Sequence, residues 1–259
     1  MKSHTRRTFL KSTAAAGLAA ATVHTKVIGA NSDVRIAVIG LGGKGGSHIK
    51  NFRDTDGVRV VALCDVDPER LGEHMDSFEN EKPFAATDLR RVLDRDDVDA
   101  VVIATCNHWH ALATVWACEA GKDVYVEKPV SHSLWEGRQM IAAAKQHDRI
   151  VQSGTQYRSD PGLREAAAYL QAGNLGKMLW GHVVWYEQRG SIGKKDAGTP
   201  DWLDYDLYCG PAPVDPLRRD RLHYDWHWMW ATGDGDLGNS GRPLLRDPRL
   251  WVGLAIGVA

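Results

Sequence analysis

The sequence is short of paired cysteines, long apolar runs and basic stripes, and each absence excludes a class of protein. Its four cysteines, Cys64, Cys106, Cys118 and Cys209, lack the paired spacing of a zinc site or a disulfide framework. We interpret them as small buried residues, although an oxidising destination leaves one disulfide open. No run approaches the roughly 20 apolar residues that span a bilayer, so no membrane span is predicted.

Acidic residues are absent before Asp33, whereas Arg6 and Arg7 stand side by side near the start of the chain. Phe9-Leu10-Lys11 follows them, and then a small apolar run over residues 12–23. This order predicts a twin-arginine signal peptide over residues 1–30, with the twin-arginine export machinery as a partner and a periplasmic or otherwise exported location. The alternative is an amphipathic first helix, which the arginine pair disfavours.

Loss of residues 1–30 would remove five of the 32 Lys and Arg residues and none of the 33 Asp and Glu residues, leaving a net charge near −6. An acidic chain without a basic, aromatic-interleaved stripe is not expected to bind nucleic acid. The remaining chain, about 230 residues, is long enough to bury a substantial core, most naturally as two domains.

A glycine-rich turn follows the first predicted strand, residues 34–39, and precedes a helix-like segment. Its spacing is G-x-G-x-x-G: Gly40 makes the tight turn, Gly42 lets a pyrophosphate approach the backbone, and Gly45 lets the helix pack on the strand. The amino terminus of that helix then faces the phosphates. The predicted cofactor-binding residues of this loop are Gly40, Gly42, Gly43, Lys44 and Gly45.

A carboxylate ends the second predicted strand, residues 58–64, twenty positions beyond Gly45. This residue, Asp65, would accept hydrogen bonds from the adenosine ribose and repel a 2′-phosphate, so NAD is favoured over NADP. Asp67 is the second candidate for the role. The other interpretation of Asp67 is the cap of a helix that begins at Pro68.

Strands and helices alternate from residue 34 to about residue 152, which predicts a doubly wound parallel α/β sheet. At the carboxyl end of one strand lie Thr105, Asn107, His108 and His110, which are candidate cofactor contacts. Packing and capping at the start of the next helix is the favoured interpretation of the two histidines. A metal site is not predicted, because no third ligand is evident nearby.

Glu127-Lys128-Pro129 follows another predicted strand, residues 123–127, at the same edge of the sheet. Pro129 cannot continue a central strand, so it ends the strand and fixes the direction in which Lys128 points. Glu127 and Lys128 are predicted cofactor contacts, and Lys128 is also the predicted catalytic and substrate-binding residue. The alternative is an ordinary strand end with a surface lysine.

The glycine loop, Asp65, the segment 105–110 and Glu127-Lys128-Pro129 occur in this order, and together they resemble the Gfo/Idh/MocA oxidoreductases. The resemblance runs from residue 34 to about 241. It implies an amino-terminal Rossmann domain, residues 31–155, and an α/β substrate domain whose open sheet often forms a dimer interface. It also implies that Lys128 lies near the nicotinamide and the substrate hydroxyl, and that an exported member carries its cofactor already bound.

The second half of the chain offers weaker signals. The candidate contacts for a carbohydrate-like substrate are Gln156, Arg158, Glu187 and Arg189. For the three charged residues among them, an equally good interpretation is a solvated charge beside a strand. A strand is predicted over residues 178–186. Seven of the ten tryptophans occur at or after Trp180, and packing is favoured over sugar stacking for them.

Residues 233–241 resemble the approach to the family's active-site helix, where a histidine is expected two positions after the last glycine. Pro243 stands there instead, and proline can neither act as a general base nor donate a hydrogen bond. We therefore predict a truncation or frameshift after Gly241, an incomplete substrate domain over residues 156–241 and an aberrant tail over residues 242–259. A genuinely short variant is the alternative.

Three functions follow from these patterns. The first is an NAD-dependent oxidoreductase acting by hydride transfer on a sugar, polyol or related hydroxylated substrate, and inactive in this shortened form. The second is an NAD-dependent glycosidase that uses transient oxidation of its substrate. The third is an inactive nucleotide-binding or sugar-binding fragment, in which Lys128 lacks its histidine partner.

Overall fold

A computed structural model describes residues 33–79, 82–177, 190–236, 238 and 239. The predicted signal peptide, the predicted strand over residues 178–186 and the tail beyond residue 241 lie outside these ranges, as do Glu187, Arg189 and Pro243. The described residues from Val34 onward belong to one compact unit. The division into two domains at residue 155 stays a prediction.

Six parallel strands form one sheet in the order β3-β2-β1-β4-β5-β6. This order confirms the predicted doubly wound Rossmann sheet, with its crossover point between β1 and β4. A register shift between Ile36 and Ala37 interrupts the pairing of β1 with β2. The strands are β1 Val34–Ile39, β2 Val58–Cys64, β3 Phe84–Ala86, β4 Ala100–Ile103, β5 Asp123–Glu127 and β6 Val151–Gly154.

The described helices connect these strands and continue beyond the sheet. They are α1 Gly43–Arg53, α2 Pro68–Asp76, α3 Leu89–Leu93, α4 His110–Glu119, α5 Leu134–Gln146, α6 Pro161–Gln171, α7 Tyr205–Cys209 and α8 Leu222–Asp225. Three short 3-10 turns cover Asn107–Trp109, Gln156–Ser159 and Trp226–Trp228. None of the helices in the described ranges is long and apolar enough to cross a membrane.

The strands are apolar on both faces because helices cover both sides of the sheet. Successive residues of a strand point to opposite faces, and β1 illustrates the result. Ala37 and Ile39 pack in a core cluster with α3, α4 and α5, whereas Ile36 and Val38 pack in a second cluster with α1 and α2. Burial on both sides explains why the strands read as continuous apolar runs in the sequence.

Side-chain caps fix where several helices begin. Asp67 caps α2, Asp88 caps α3, and Asp160 caps α6. Ser133 and Glu136 form a reciprocal capping box at the start of α5. Each cap satisfies amide groups that have no partner inside the helix.

Residues 203–227, here called the cover segment, lie against the carboxyl edge of the sheet. Leu203, Tyr208 and Leu222 belong to a third core cluster, and Val66 and Cys106 from that edge pack against it. The cover segment contains α7 and α8 and no strand. It therefore places a mostly apolar surface over the strand ends where the sequence predicts a cofactor.

Candidate functional site

The glycine loop forms a close turn between β1 and α1 that only glycine can complete at two positions. Gly40 has φ +85°, and an added Cβ there would lie 2.7 Å from the backbone of Ala104 and Thr105. A Cβ on Gly45 would lie 1.8 Å from Gly40 O. Gly43, by contrast, has no atom within 4 Å of such a Cβ, so the loop is tight against the protein and open on its outer side.

Helix α1 begins without a side-chain cap and without an acidic residue in its first turn. Its first amides are therefore left for an anion, which the positive end of the helix dipole also favours. Helices α2 and α5 differ, since each has a side-chain cap and an acid in its first turn. The open loop and the uncapped helix fit the diphosphate of a dinucleotide.

Asp65 follows β2 directly and faces the glycine loop. Its Oδ2 accepts a hydrogen bond from Leu41 N at 2.6 Å, and its Oδ1 accepts one from Asp67 N at 3.0 Å. Burial raises the pKa of the Asp65 carboxyl, although these two backbone bonds oppose the rise. The carboxylate thus couples the end of β2 to the loop that would hold the phosphates.

Asp67 is the cap of α2, and this is the interpretation that the sequence left open for it. Its Oδ1 accepts hydrogen bonds from Glu69 N at 2.9 Å and Arg70 N at 3.3 Å. Its Oδ2 lies 2.8 Å from Nε2 of His223, a residue of the cover segment. Both oxygens of Asp67 thus have partners in the described chain, and of the two carboxylates it is Asp65 that lines the cavity described next.

A cavity of about 350 Å³ lies between the sheet edge and the cover segment. Four predicted residues of the glycine loop line it, together with Asp65 and Thr105. Arg70, Thr87 and Leu89 extend its wall on the side of β2 and β3. The cover segment contributes Leu203, Leu207, Tyr208, Leu222, His223, Tyr224, Trp226 and His227. Gly45 supports the loop from behind and does not line the cavity.

His108 and His110 are buried beside this cavity and do not line it. His108 Nδ1 lies 3.2 Å from Thr232 O and Nε2 lies 3.1 Å from Tyr208 O. His110 Nδ1 lies 2.6 Å from Pro129 O and Nε2 lies 3.1 Å from Thr105 O. Burial lowers the pKa of both rings. These contacts support the packing role that the sequence favoured, and a cofactor contact for either ring stays a prediction.

Asn107 is also buried, and its Oδ1 accepts a hydrogen bond from Asp234 N at 3.2 Å. The Asp234 carboxylate lies 2.8 Å from Nδ1 of His132. Asn107 therefore joins the strand edge to residues near position 234, and its predicted cofactor contact stays a prediction.

Glu127 is the centre of a charged network at the end of β5. Its side chain is 5% exposed, and its Oε1 lies 2.8 Å from His48 Nε2 and 3.7 Å from Lys44 Nζ. Its Oε2 accepts a hydrogen bond from Lys128 N at 3.2 Å. Burial acts to raise the pKa of the Glu127 carboxyl, but His48 and Lys44 together hold it below its ordinary value.

Lys128 leaves the end of β5 through a cis peptide bond to Pro129. Its Nζ donates hydrogen bonds to Asn239 O at 2.6 Å and Asn239 Oδ1 at 2.5 Å. Burial and the charge of Lys44 lower the pKa of the Lys128 amine, while Glu127 opposes the change. Lys128 does not line the cavity, but Lys44 does, and it is the link between the cavity and the Glu127 network.

Gln156 and Arg158 lie in the 3-10 turn after β6, next to the strand that ends at Glu127. Both side chains are exposed. The structure thus places them at the predicted edge of the sheet, and their substrate contact stays a prediction. Within the described ranges, no group of three or more His, Cys, Asp and Glu side chains could hold a metal ion, and all four cysteines are free.

Sequence reasoning missed His48 and the cover segment. Lys44 and His48 are four positions apart on α1, so the helical period places both on the face that meets Glu127. That spacing was a usable signal. The cover segment had no such signal, because its apolar residues follow neither a helical nor a strand period long enough to predict an element.

Comparison with known proteins agrees with this geometry. Residues 34–155 match the Gfo/Idh/MocA family. Its model is described as an oxidoreductase family with an NAD-binding Rossmann fold. The matched residues include the glycine loop, Asp65, strands β1 to β6 and the Glu127-Lys128-Pro129 turn.

Two curated relatives carry glycosidase names. A glycosyl hydrolase family 109 protein of Shewanella pealeana is 30% identical over 214 residues, covering 74% of this chain and 46% of the relative. An alpha-N-acetylgalactosaminidase of Shewanella oneidensis is 30% identical over 216 residues, again covering 74% of this chain and 46% of the relative. The chain thus spans a little under half the length of these relatives.

The similar solved structures include inositol dehydrogenases. Myo-inositol 2-dehydrogenase of Lactobacillus plantarum has a TM-score of 0.54 and 29% identity, over 57% of this chain and 44% of that one. Scyllo-inositol dehydrogenase of Lactobacillus casei, solved with NAD(H) and scyllo-inositol, has a TM-score of 0.53 and 25% identity, over 56% and 43%.

Proposed function

We propose that this chain supplies the cofactor-binding part of an NAD-dependent oxidoreductase that acts on a sugar, polyol or related hydroxylated compound. The observation that carries the proposal is the open glycine turn before the uncapped helix α1, with Asp65 2.6 Å from the loop backbone. These parts suit the diphosphate and the ribose of a dinucleotide. The inositol dehydrogenases among the similar structures support the substrate class.

Each residue has a defined task in this proposal. A bound nicotinamide dinucleotide supplies the hydride acceptor or donor. The amides at the start of α1 bind the diphosphate, and Asp65 accepts hydrogen bonds from the ribose. Lys44, which lines the cavity, offsets the negative charge of the Glu127 carboxylate. Lys128 Nζ exchanges its bonds to Asn239 for one to the substrate hydroxyl oxygen, whose developing negative charge it stabilises.

Calorimetric titration with NAD, followed by assays of NADH formation with inositols and aldoses, tests the proposal. We expect NAD to bind the wild-type protein. Lys128→Met should keep NAD binding and abolish any turnover, whereas Lys145→Met, which changes an exposed lysine on α5, should alter neither. A folded wild-type protein that binds no NAD would contradict the proposed cofactor site.

A glycosidase that oxidises its substrate transiently is the second candidate, and the names of the relatives favour it. The two functions differ in their product balance. Release of an aryl group from an aryl N-acetylgalactosaminide without net NADH would support the glycosidase. Stoichiometric NADH from a free sugar or polyol would support the dehydrogenase. Bound NAD with neither reaction would identify the third candidate, an inactive nucleotide-binding fragment.

Export of the protein through the twin-arginine pathway is part of the same proposal. Fusion of residues 1–33 to a reporter that fluoresces after folding, with Arg6→Lys/Arg7→Lys as the control, tests it. The reporter should reach the periplasm only with the arginine pair. A reporter that stays in the cytoplasm in both cases would contradict the export signal.

A further inference from the structure

We propose that the cover segment forms the adenosine wall of the dinucleotide site, with its leucines and aromatic side chains against the adenine ring. The inference rests on the proposed NAD site and adds the residues that hold its purine half. It assigns to residues 203–227 a binding role that neither the glycine motif nor the matched family residues, 34–155, contain.

The position of the adenine follows from the Rossmann half of the cavity. The glycine loop is the place for the diphosphate, and Asp65 at the end of β2 is the place for the ribose. The base then continues outward from Asp65, toward β3 and the start of α2. There the cavity is lined by Val66, Arg70, Thr87 and Leu89.

The cover segment closes the opposite side of that space. Six leucine, tyrosine and tryptophan residues of the segment line the same cavity as the glycine loop and Asp65: Leu203, Leu207, Tyr208, Leu222, Tyr224 and Trp226. An adenine ring is flat and apolar on its faces, so leucine and aromatic side chains are suitable neighbours for it. Without this segment, the Rossmann edge would leave the base open to solvent.

Two anchors hold the cover segment over the cavity. At one anchor, Tyr208 O lies 3.1 Å from both His108 Nε2 and Trp109 Nε1. Gly210 lies so close to the Trp109 ring that a Cβ would be 2.1 Å from its Cζ2. The buried histidine that follows β4 therefore serves the cofactor site indirectly, by holding the wall that faces the base.

The second anchor is the pair between His223 and Asp67, at 2.8 Å. Asp67 also caps α2, the helix that contributes Arg70 to the cavity. The ring of Trp202 stacks on His223. Tyr208 and His223, the cover-segment residues of the two anchors, both line the cavity, so its apolar wall is held to the Rossmann edge at two points.

Binding of ADP-ribose to the full chain is the direct test, because this ligand has the adenosine and diphosphate but no nicotinamide. The test variant is Tyr224→Ala/Trp226→Ala, which removes two aromatic parts of the wall. The matched control is Trp230→Ala, since Trp230 is 95% exposed and does not line the cavity. We expect the double variant to bind ADP-ribose roughly tenfold more weakly, as is typical for loss of a base-stacking side chain, and the control to bind as the wild type does.

Tryptophan fluorescence gives a second readout, and its variants replace one aromatic side chain by another. ADP-ribose should quench the wild-type protein and Trp230→Phe equally, and Trp226→Phe should lose part of the quench. This conservative variant keeps the test valid if the double alanine variant does not fold.

Equal affinity and equal quench in all variants, with ADP-ribose bound to the wild type, would overturn the adenosine wall and leave the dinucleotide site standing. Failure of a folded wild-type protein to bind either NAD or ADP-ribose would overturn both.

Discussion

Glu127 is the residue that contacts the other titratable side chains at the end of β5. It is buried, yet it is held as an anion by His48 and Lys44 on one oxygen and by the Lys128 amide on the other. A buried carboxylate is stable only with such partners. Glu127 and Lys44 also act on the pKa of the Lys128 amine, in opposite directions.

The pKa of Glu127 predicts how stability responds to acid. Because the folded state lowers this pKa, the network stabilises the fold above the unfolded value, about 4.3, and the gain is lost as pH falls through the folded pKa. We expect Glu127→Gln to lower the free energy of unfolding by about 2 kcal/mol near neutral pH. The difference from wild type should shrink below about pH 4.

Urea unfolding of both proteins across this pH range measures the effect. Glu119→Gln, which changes an exposed carboxylate at the end of α4, is the control and should give no such difference. A wild-type advantage that stayed constant down to acid pH would show that Glu127 does not contribute through its charge.

The glycines of the loop predict a contrast between two neighbouring substitutions. Gly45→Ala would place a Cβ 1.8 Å from Gly40 O, which requires the backbone to move. Gly43→Ala meets no atom within 4 Å and lies in the first turn of α1, where alanine is favoured by roughly 0.5–1 kcal/mol. We expect Gly45→Ala to lower the melting temperature strongly and Gly43→Ala to leave it unchanged or raise it. Calorimetry distinguishes them, and equal melting temperatures would contradict the close packing described.

At the scale of elements, the sheet could be predicted and the cover segment could not. Buried parallel strands such as β1 and β4 give continuous apolar runs, and the glycine turn fixes the topology between β1 and α1. The ends of elements were predicted less accurately: β6 continues to Gly154, past residue 152 where the predicted alternation stops. The three-residue β3 leaves too short a pattern to recognise. The cover segment is positioned by tertiary contacts, such as those of Tyr208 with Trp109, which no local period encodes.

The capping box at the start of α5 should contribute to the free energy of unfolding. Glu136 Oε2 accepts hydrogen bonds from the amides of His132 and Ser133 at 2.8 Å each, and Glu136 N donates to Ser133 Oγ at 3.2 Å. We expect Ser133→Ala to lower the free energy of unfolding by about 1 kcal/mol. Ser133→Asp keeps an acceptor at this position and should stay near the wild-type value. Urea denaturation measures both, and equal loss in the two variants would show that the hydroxyl bond is not the cause.

At the scale of the whole molecule, the cavity and the Lys128 side chain have different surroundings in the described chain. The cavity proposed for the nucleotide is lined on both sides, by the Rossmann edge and by the cover segment. The Lys128 amine donates hydrogen bonds to Asn239 of the chain itself. Lys44 joins the two, since it lines the cavity and lies 3.7 Å from Glu127. This arrangement predicts that dinucleotide binding and substrate turnover can be separated by mutation.

Ligand binding should therefore stabilise the whole unit, and the choice of dinucleotide should depend on Asp65. At a concentration one hundred times its dissociation constant, a ligand adds about 2.7 kcal/mol to the free energy of unfolding, which corresponds to roughly 5–10 °C for a unit of this size. We expect NAD to raise the melting temperature by this amount.

NADP at the same concentration should raise the melting temperature less than NAD does, because its 2′-phosphate would lie beside the Asp65 carboxylate. Asp65→Asn keeps an oxygen for the Leu41 amide and removes the charge, so the two shifts should converge. A wild-type protein that NADP stabilises as much as NAD would contradict the role given to Asp65.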